Sequence, residues 1–107
     1  MHVNDELPVI HDHADAGRYE ARIGGDLAGF VEYRLAGTRR ILLHTEVLPA
    51  LEGRGIGSAL ARHILDAARA SGARVTVKCP FIRTWLARHP DYLDVVTPDP
   101  AVRPVDS

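Results

Sequence analysis

The sequence predicts an α+β domain, a mixed and mostly antiparallel sheet carrying two main helices. Three observations predict it. Apolar and polar residues alternate through Tyr19–Ile23 and again through Leu27–Leu35, with the hairpin signal Gly24-Gly25-Asp26 between them. Ile56, Leu60, Ile64 and Ala67 or Ala68 recur at helical spacing. Between the strand-like and helical patterns lies the glycine-rich turn Gly53-Arg54-Gly55-Ile56-Gly57.

Residues 1–16 hold three histidines, several acids and little periodicity, and read as a loose arm with room for a short strand at Val9–His11. The turn Ala36-Gly37-Thr38 leads into a third antiparallel strand, Arg40–Val47. A proline bend and the glycine turn follow, and a helix opens near Ile56. Arg62 and Asp66 are spaced for an exposed i,i+4 pair, and Gly72 stands where a helix C-cap glycine belongs. Arg74–Lys78 is a short strand. Pro80 suits the first position of a second helix, whose apolar side is Ile82, Trp85 and Leu86. His89-Pro90 ends it, and Leu93–Val96 is the expected last edge strand. The domain thus spans residues 17–96, followed by a flexible tail at 97–107 with three prolines.

Composition narrows the function classes. One hundred and seven residues allow one domain with a modest core. Thirteen basic and fourteen acidic residues are interspersed, for a net charge of −1, so neither nonspecific nucleic-acid binding nor disorder is indicated. No apolar run reaches the roughly 18 residues of a membrane span. MHVNDELP at the start has acids and no apolar core, unlike a signal peptide. A single cysteine forms no internal disulfide, which suits a cytoplasmic location.

The glycine turn is the motif that carries chemistry. Glycines let backbone N–H groups approach a ligand, and a helix N-terminus adds unsatisfied donors and a positive dipole end. Phosphate or pyrophosphate is the matching ligand. A Walker A loop needs Lys-Ser or Lys-Thr after its glycines, and none follows. A dinucleotide fingerprint counted from Gly53 needs glycine at position 58, which is Ser58, and it belongs after a first strand rather than in mid-chain. A tight turn that only lets strand and helix pack is the plain alternative.

Glu52-Gly53-Arg54-Gly55-Ile56-Gly57 resembles the coenzyme A loop of the GNAT superfamily of N-acetyltransferases, Q/R-x-x-G-x-G/A, with Glu52 departing at the first position. His44-Thr45-Glu46-Val47 before it and Cys79-Pro80-Phe81 after the next strand extend the likeness over most of residues 18–96, toward the small stand-alone YjdJ-type proteins. The resemblance implies a minimal GNAT fold with a V-shaped splay between central strands. It implies acetyl-CoA as cosubstrate and an amine acceptor (a small molecule or a protein); the short chain leaves little sequence for an acceptor pocket, so that site is expected to be shallow or shared across a homodimer. The pyrophosphate would sit on amides from Gly53 and Arg54 through Gly55, Ile56, Gly57 and Ser58 to Ala59, with the Arg54 charge nearby. The pantetheine arm would bond the backbone of Thr45, Val47 and Leu48, although Val47 also suits a plain core role. Glu52, unfavourable beside a polyanion, is expected to bond backbone donors at the helix start.

Acetyl transfer needs a base for the amine and a proton for the departing thiolate. His44 and Glu46 share one strand face, opposite Thr45 and Val47, and are candidate bases or simply polar surface. Cys79 ends a strand before Pro80, with Lys78 and Arg83 close by. It is either a reactive thiol at a helix start or a buried structural one. Many larger relatives use a tyrosine on the following helix as acid, where this chain has Phe81, Trp85 and Leu86, with Tyr92 beyond. An acyl-CoA-binding module with little turnover is therefore the other reading. No metal site is expected. His11 and His13 share a face, but no second ligand pair follows at zinc spacing.

Overall fold

The computed structural model describes residues 7–98. Five strands lie in sequence order across one sheet: β1 (Val9–His13), β2 (Arg18–Ile23), β3 (Asp26–Ala36), β4 (Arg39–Val47) and β5 (Val75–Val77). All neighbours are antiparallel except β4 and β5, which are parallel and joined by the helix α1 (Ile56–Ser71). A second helix, α2 (Pro80–Ala87), follows β5. This is the mixed, mostly antiparallel sheet with two main helices that the pattern predicts. No described helix is long and apolar enough to cross a membrane.

The stripe Ile56, Leu60, Ile64 and Ala68, widened by Ala61 and Leu65, is buried against Tyr19, Ala21, Val31, Tyr33 and Leu42 of the sheet. Ile82, Trp85 and Leu86 of α2 join the same cluster. Truncating a side chain such as Leu60 to alanine here costs roughly 2–5 kcal/mol. Gly72 ends α1 in the left-handed region (φ 75°), and Ala73 N–H closes back on the Ala68 carbonyl at 3.0 Å.

Several expectations are corrected. The short strand expected at Val9–His11 runs on to His13: all five residues of β1 pair with β2, and Asp12 accepts from the Tyr33 hydroxyl at 2.5 Å and from Arg40 Nη2 at 3.3 Å, while residues 1–6 of the arm lie outside the described residues. Arg62 does not take Asp66, which accepts from the Tyr92 hydroxyl at 2.7 Å. No last strand forms at Leu93–Val96. Pro90–Val95 is a 3-10 helix, and only Val96 bridges Val75. Arg69 and Arg74 bind the carbonyls of Asp91, Asp94 and Val96, so those acceptors serve guanidiniums instead of a ladder. The tail expected at 97–107 lies outside the described residues beyond position 98.

The sheet face away from α1 is polar. Its centre is Glu20, 1% exposed yet covered only by surface side chains. Arg22 donates to Oε1 through Nε and Nη2, while Arg18 Nε (2.8 Å) and His13 Nδ1 (3.1 Å) bond Oε2. Burial alone would raise its pKa. The hydrogen bonds outweigh that and hold it at about 2. A depressed carboxylate stabilises the fold above its unfolded pKa and loses that contribution as pH falls toward 2. Glu20→Gln is expected to cost roughly 1–2 kcal/mol at pH 7, below the full linkage value because the guanidiniums are open to water. Urea melts should show the gap to the parent narrowing as pH drops below about 4.5. A gap that widens there would remove Glu20 from this role.

Candidate active site

β5 follows β4 only from Arg40 to Leu42. At that point Lys78 N–H (2.9 Å) and Cys79 N–H (3.1 Å) both donate to the Leu42 carbonyl, and the chain turns into α2. The strands then part, which is the V-shaped splay. A register shift in β4 accompanies the parting: Glu32 pairs with His44 and Tyr33 with Leu42, leaving Leu43 as the extra residue of a bulge. The bulge keeps Leu42 and Thr45 on the helix side, opposite the buried Tyr33 and Val31.

Past the bulge, Leu48 N–H donates to the Ala28 carbonyl at 2.9 Å. Backbone direction alternates along a strand, so Thr45 and Val47 turn their amides and carbonyls toward the side that β5 has left. Leu48 departs from expectation. Its N–H serves Ala28 and its carbonyl accepts from Leu51 N–H, so it offers nothing to a ligand arm.

The cleft this leaves is a cavity of about 490 Å³. Thr45 and Val47 form one wall and Gly53, Gly55, Ile56, Gly57 and Ser58 the other, with Leu51, Glu52 and Phe81 closing it. Gly53 (φ 85°) and Gly55 (φ 81°) take the left-handed conformation that turns the chain into α1. Arg54 N–H donates to Leu51 at 3.2 Å, and Ala59 N–H closes the first helical bond on Gly55 at 2.9 Å. Those two amides are therefore engaged. The helix-start amides of Ile56, Gly57 and Ser58, with that of Gly55 before them, have no intrahelical acceptor. No side chain caps α1 either. Among the described residues the Glu52 carboxylate thus makes no cap, contrary to expectation, and it sits at the cavity mouth.

Phe81 was not legible as a wall. Its ring lies over Gly57 so closely that a Cβ there would stand 2.6 Å from Cζ, and it remains 44% exposed. Any side chain at Gly57 would therefore have to displace the Phe81 ring. Trp85 Nε1–H donates to the Ser58 hydroxyl at 2.8 Å, which ties α2 to the start of α1.

The three candidate chemical residues divide. Cys79 is 1% exposed inside the core cluster, and its thiol shares a 2.9 Å hydrogen bond with the Thr45 hydroxyl. It lies beside the cavity wall and is closed to solvent, as the buried alternative for this thiol has it. His44 and Glu46 point to the other sheet face, 50% and 61% exposed, with Nε2 donating to Oε2 at 2.9 Å. The Phe30 ring stands edge-on to His44 at 6.4 Å. Tyr92 is no candidate acid: its bond to Asp66 and its burial raise its pKa and hold it away from the cleft.

His11, His13 and Glu20 place ligand-type atoms within 4.8 Å of one another. Glu20 nonetheless faces two guanidiniums, whose charge opposes a cation. The donor set does not fit a metal ion.

Comparison with known proteins agrees with the geometry. No curated protein matches the chain. The solution structure of a GCN5-like protein from Staphylococcus aureus superposes with a TM-score of 0.66 at 21% identity, covering 89% of this chain and 92% of that one. Ribosomal-protein-alanine N-acetyltransferase from Brucella melitensis biovar Abortus 2308 superposes with a TM-score of 0.54 at 22% identity, covering 84% and 67%. These likenesses establish the fold. The family model of GCN5-related N-acetyl-transferases matches residues 18–95, most of the chain, and the protein belongs to that family.

Proposed function

We propose that the cleft binds acetyl-CoA and that the acetyl group passes to an amine presented from the polar sheet face. One observation carries this reading: the free amides of Gly55 to Ser58 and the open backbone edge of Thr45 and Val47 line a single cavity. The amides suit the pyrophosphate and the strand edge suits the amide-bearing pantetheine arm. The amine nitrogen then attacks the thioester carbonyl. A C–N bond forms, the C–S bond breaks, the amine proton passes to the His44–Glu46 pair, and the thiolate needs a proton. The Cys79 thiol, hydrogen-bonded to the Thr45 hydroxyl that lines the cleft, is assigned as that donor. A family member with a single buried thiol suits the cytoplasm, and its amine is of small-molecule or protein origin.

Calorimetric titration with acetyl-CoA, followed by turnover across an amine panel, tests the reading. Saturable binding with turnover supports it; absence of binding overturns it. Binding without turnover would favour an acyl-CoA-binding module, a reading that the diversion of Tyr92 to Asp66 keeps relevant. Cys79→Ala is expected to lower turnover about tenfold or more while leaving acetyl-CoA affinity within a factor of about two. Unchanged turnover in a folded variant would return Cys79 to the core alone.

A further inference from the structure

We propose that a groove at the far end of α1, built around Arg40, is a second ligand site that takes a small carboxylate with an apolar body. Arg40 and Val47 lie at opposite ends of β4, seven residues or roughly 23 Å apart, so this groove is separate from the cleft. It has a volume of about 330 Å³, within the range of small-ligand pockets.

Its floor is apolar and its volume comes from small side chains. Ala67, Ala68 and Ala73 line it beside Ile64 and Val75. A larger residue at any of these alanines would fill the space. Over this floor stand Arg40, Asp12 and the Tyr19 ring. A second opening, of about 410 Å³, shares Arg40, Ser71 and Ala73, so Arg40 borders open space on two sides.

Arg40 is incompletely bonded. Its cationic carbon lies 5.9 Å from the Tyr19 ring centroid and 5.4 Å from that of Tyr33, which favours the charge. Nη2 reaches Asp12 Oδ2 at 3.3 Å, long for a charge-assisted bond. Nε is buried and has no acceptor among the described residues. Asp12 meets Arg40 through Nη2 and leaves Nε unserved. Buried donors in native proteins almost always find an acceptor. The Arg40 side chain is 29% exposed, so a ligand carboxylate in the groove meets its open N–H groups first, and a rotation of the long side chain brings the enclosed Nε to the same acceptor.

Charge favours an anion over a cation. Arg40 and Arg74 both line the groove against the single carboxylate of Asp12. Arg74 is held away from a ligand by its bonds to Asp94, Val96 and Thr97, yet its charge remains. Burial and the bond to Asp12 push the Tyr33 phenol up to about 12, so it stays a neutral donor at any working pH.

The test titrates the full chain with benzoate and, separately, with benzylamine, following backbone amide shifts by NMR. Benzoate should shift Ala67, Ser71 and Ala73 saturably with a millimolar or tighter dissociation constant, and benzylamine should not. Arg40→Met and Ala67→Phe should each weaken benzoate at least tenfold while acetyl-CoA affinity stays within about twofold. Ala67 is exposed, so its variant tests the groove even if Arg40→Met fails to fold. The proposal is overturned by the absence of saturable shifts, by equal binding of benzylamine, by shifts confined to Gly55–Ser58, or by a folded Ala67→Phe that binds benzoate as the parent does.

Discussion

Gly55→Asp is expected to abolish acetyl-CoA binding, weakening it at least about a hundredfold, or roughly 2.7 kcal/mol. Two effects combine. Gly55 holds φ 81° at the N-cap of α1, a conformation that costs a side-chain-bearing residue roughly 1–2 kcal/mol. The new carboxylate would also stand among the amides proposed to hold the pyrophosphate, adding like charge where the helix dipole favours an anion. Gly55→Ala separates the two, since it carries the strain without the charge and should lose far less affinity. Nothing crowds the Cβ position at Gly55, so both variants should fold. Calorimetry on folded protein decides: parental affinity in Gly55→Asp places the ligand elsewhere.

His44→Gln carries the second large effect. Glutamine can still donate to Glu46, so the 2.9 Å contact and the sheet face survive, but it cannot pick up a proton. His44 lies across the sheet from the cleft, which predicts unchanged acetyl-CoA affinity. Turnover should fall by roughly a hundredfold, the scale of a lost general base. The decisive measurement is the rate across about pH 6–9 with affinity measured in parallel. Equal rates would leave the His44–Glu46 pair as a surface feature, and a fall in affinity alone would show the imidazole shaping the cleft instead.

Local chemistry was readable and distant pairing was not. The glycine turn, the stripe from Ile56 to Ala68, the Gly72 stop and the Pro80 start each depend on neighbours within a few residues, and each stands where the pattern puts it. Asp12 and Arg40 are 28 residues apart, so the contact that anchors β1 leaves no local signature. Leu93–Val96 has a strand-like composition, but Arg74 claims the Asp94 and Val96 carbonyls. In the candidate site, spacing identified the loop without identifying its free amides. Ala59 and Leu48 are engaged because a helix and a strand happen to begin and end there. The Phe81 ring over Gly57 joins two helices whose packing no periodicity reveals.

The bulge at Leu43 also makes β4 a strand in two phases. Regular alternation from Leu42 would send Thr45 to the face that now holds His44 and Glu46. The extra residue resets the count, so the half that binds β5 and the half that leaves it both present the intended side chains. Deleting Leu43 therefore removes a kink without exchanging a single face. A straightened β4 should run alongside β5 for longer and seal the cleft while the core stays intact. If that shortened chain folds but no longer takes up acetyl-CoA, one unpaired leucine is what holds the two strands apart.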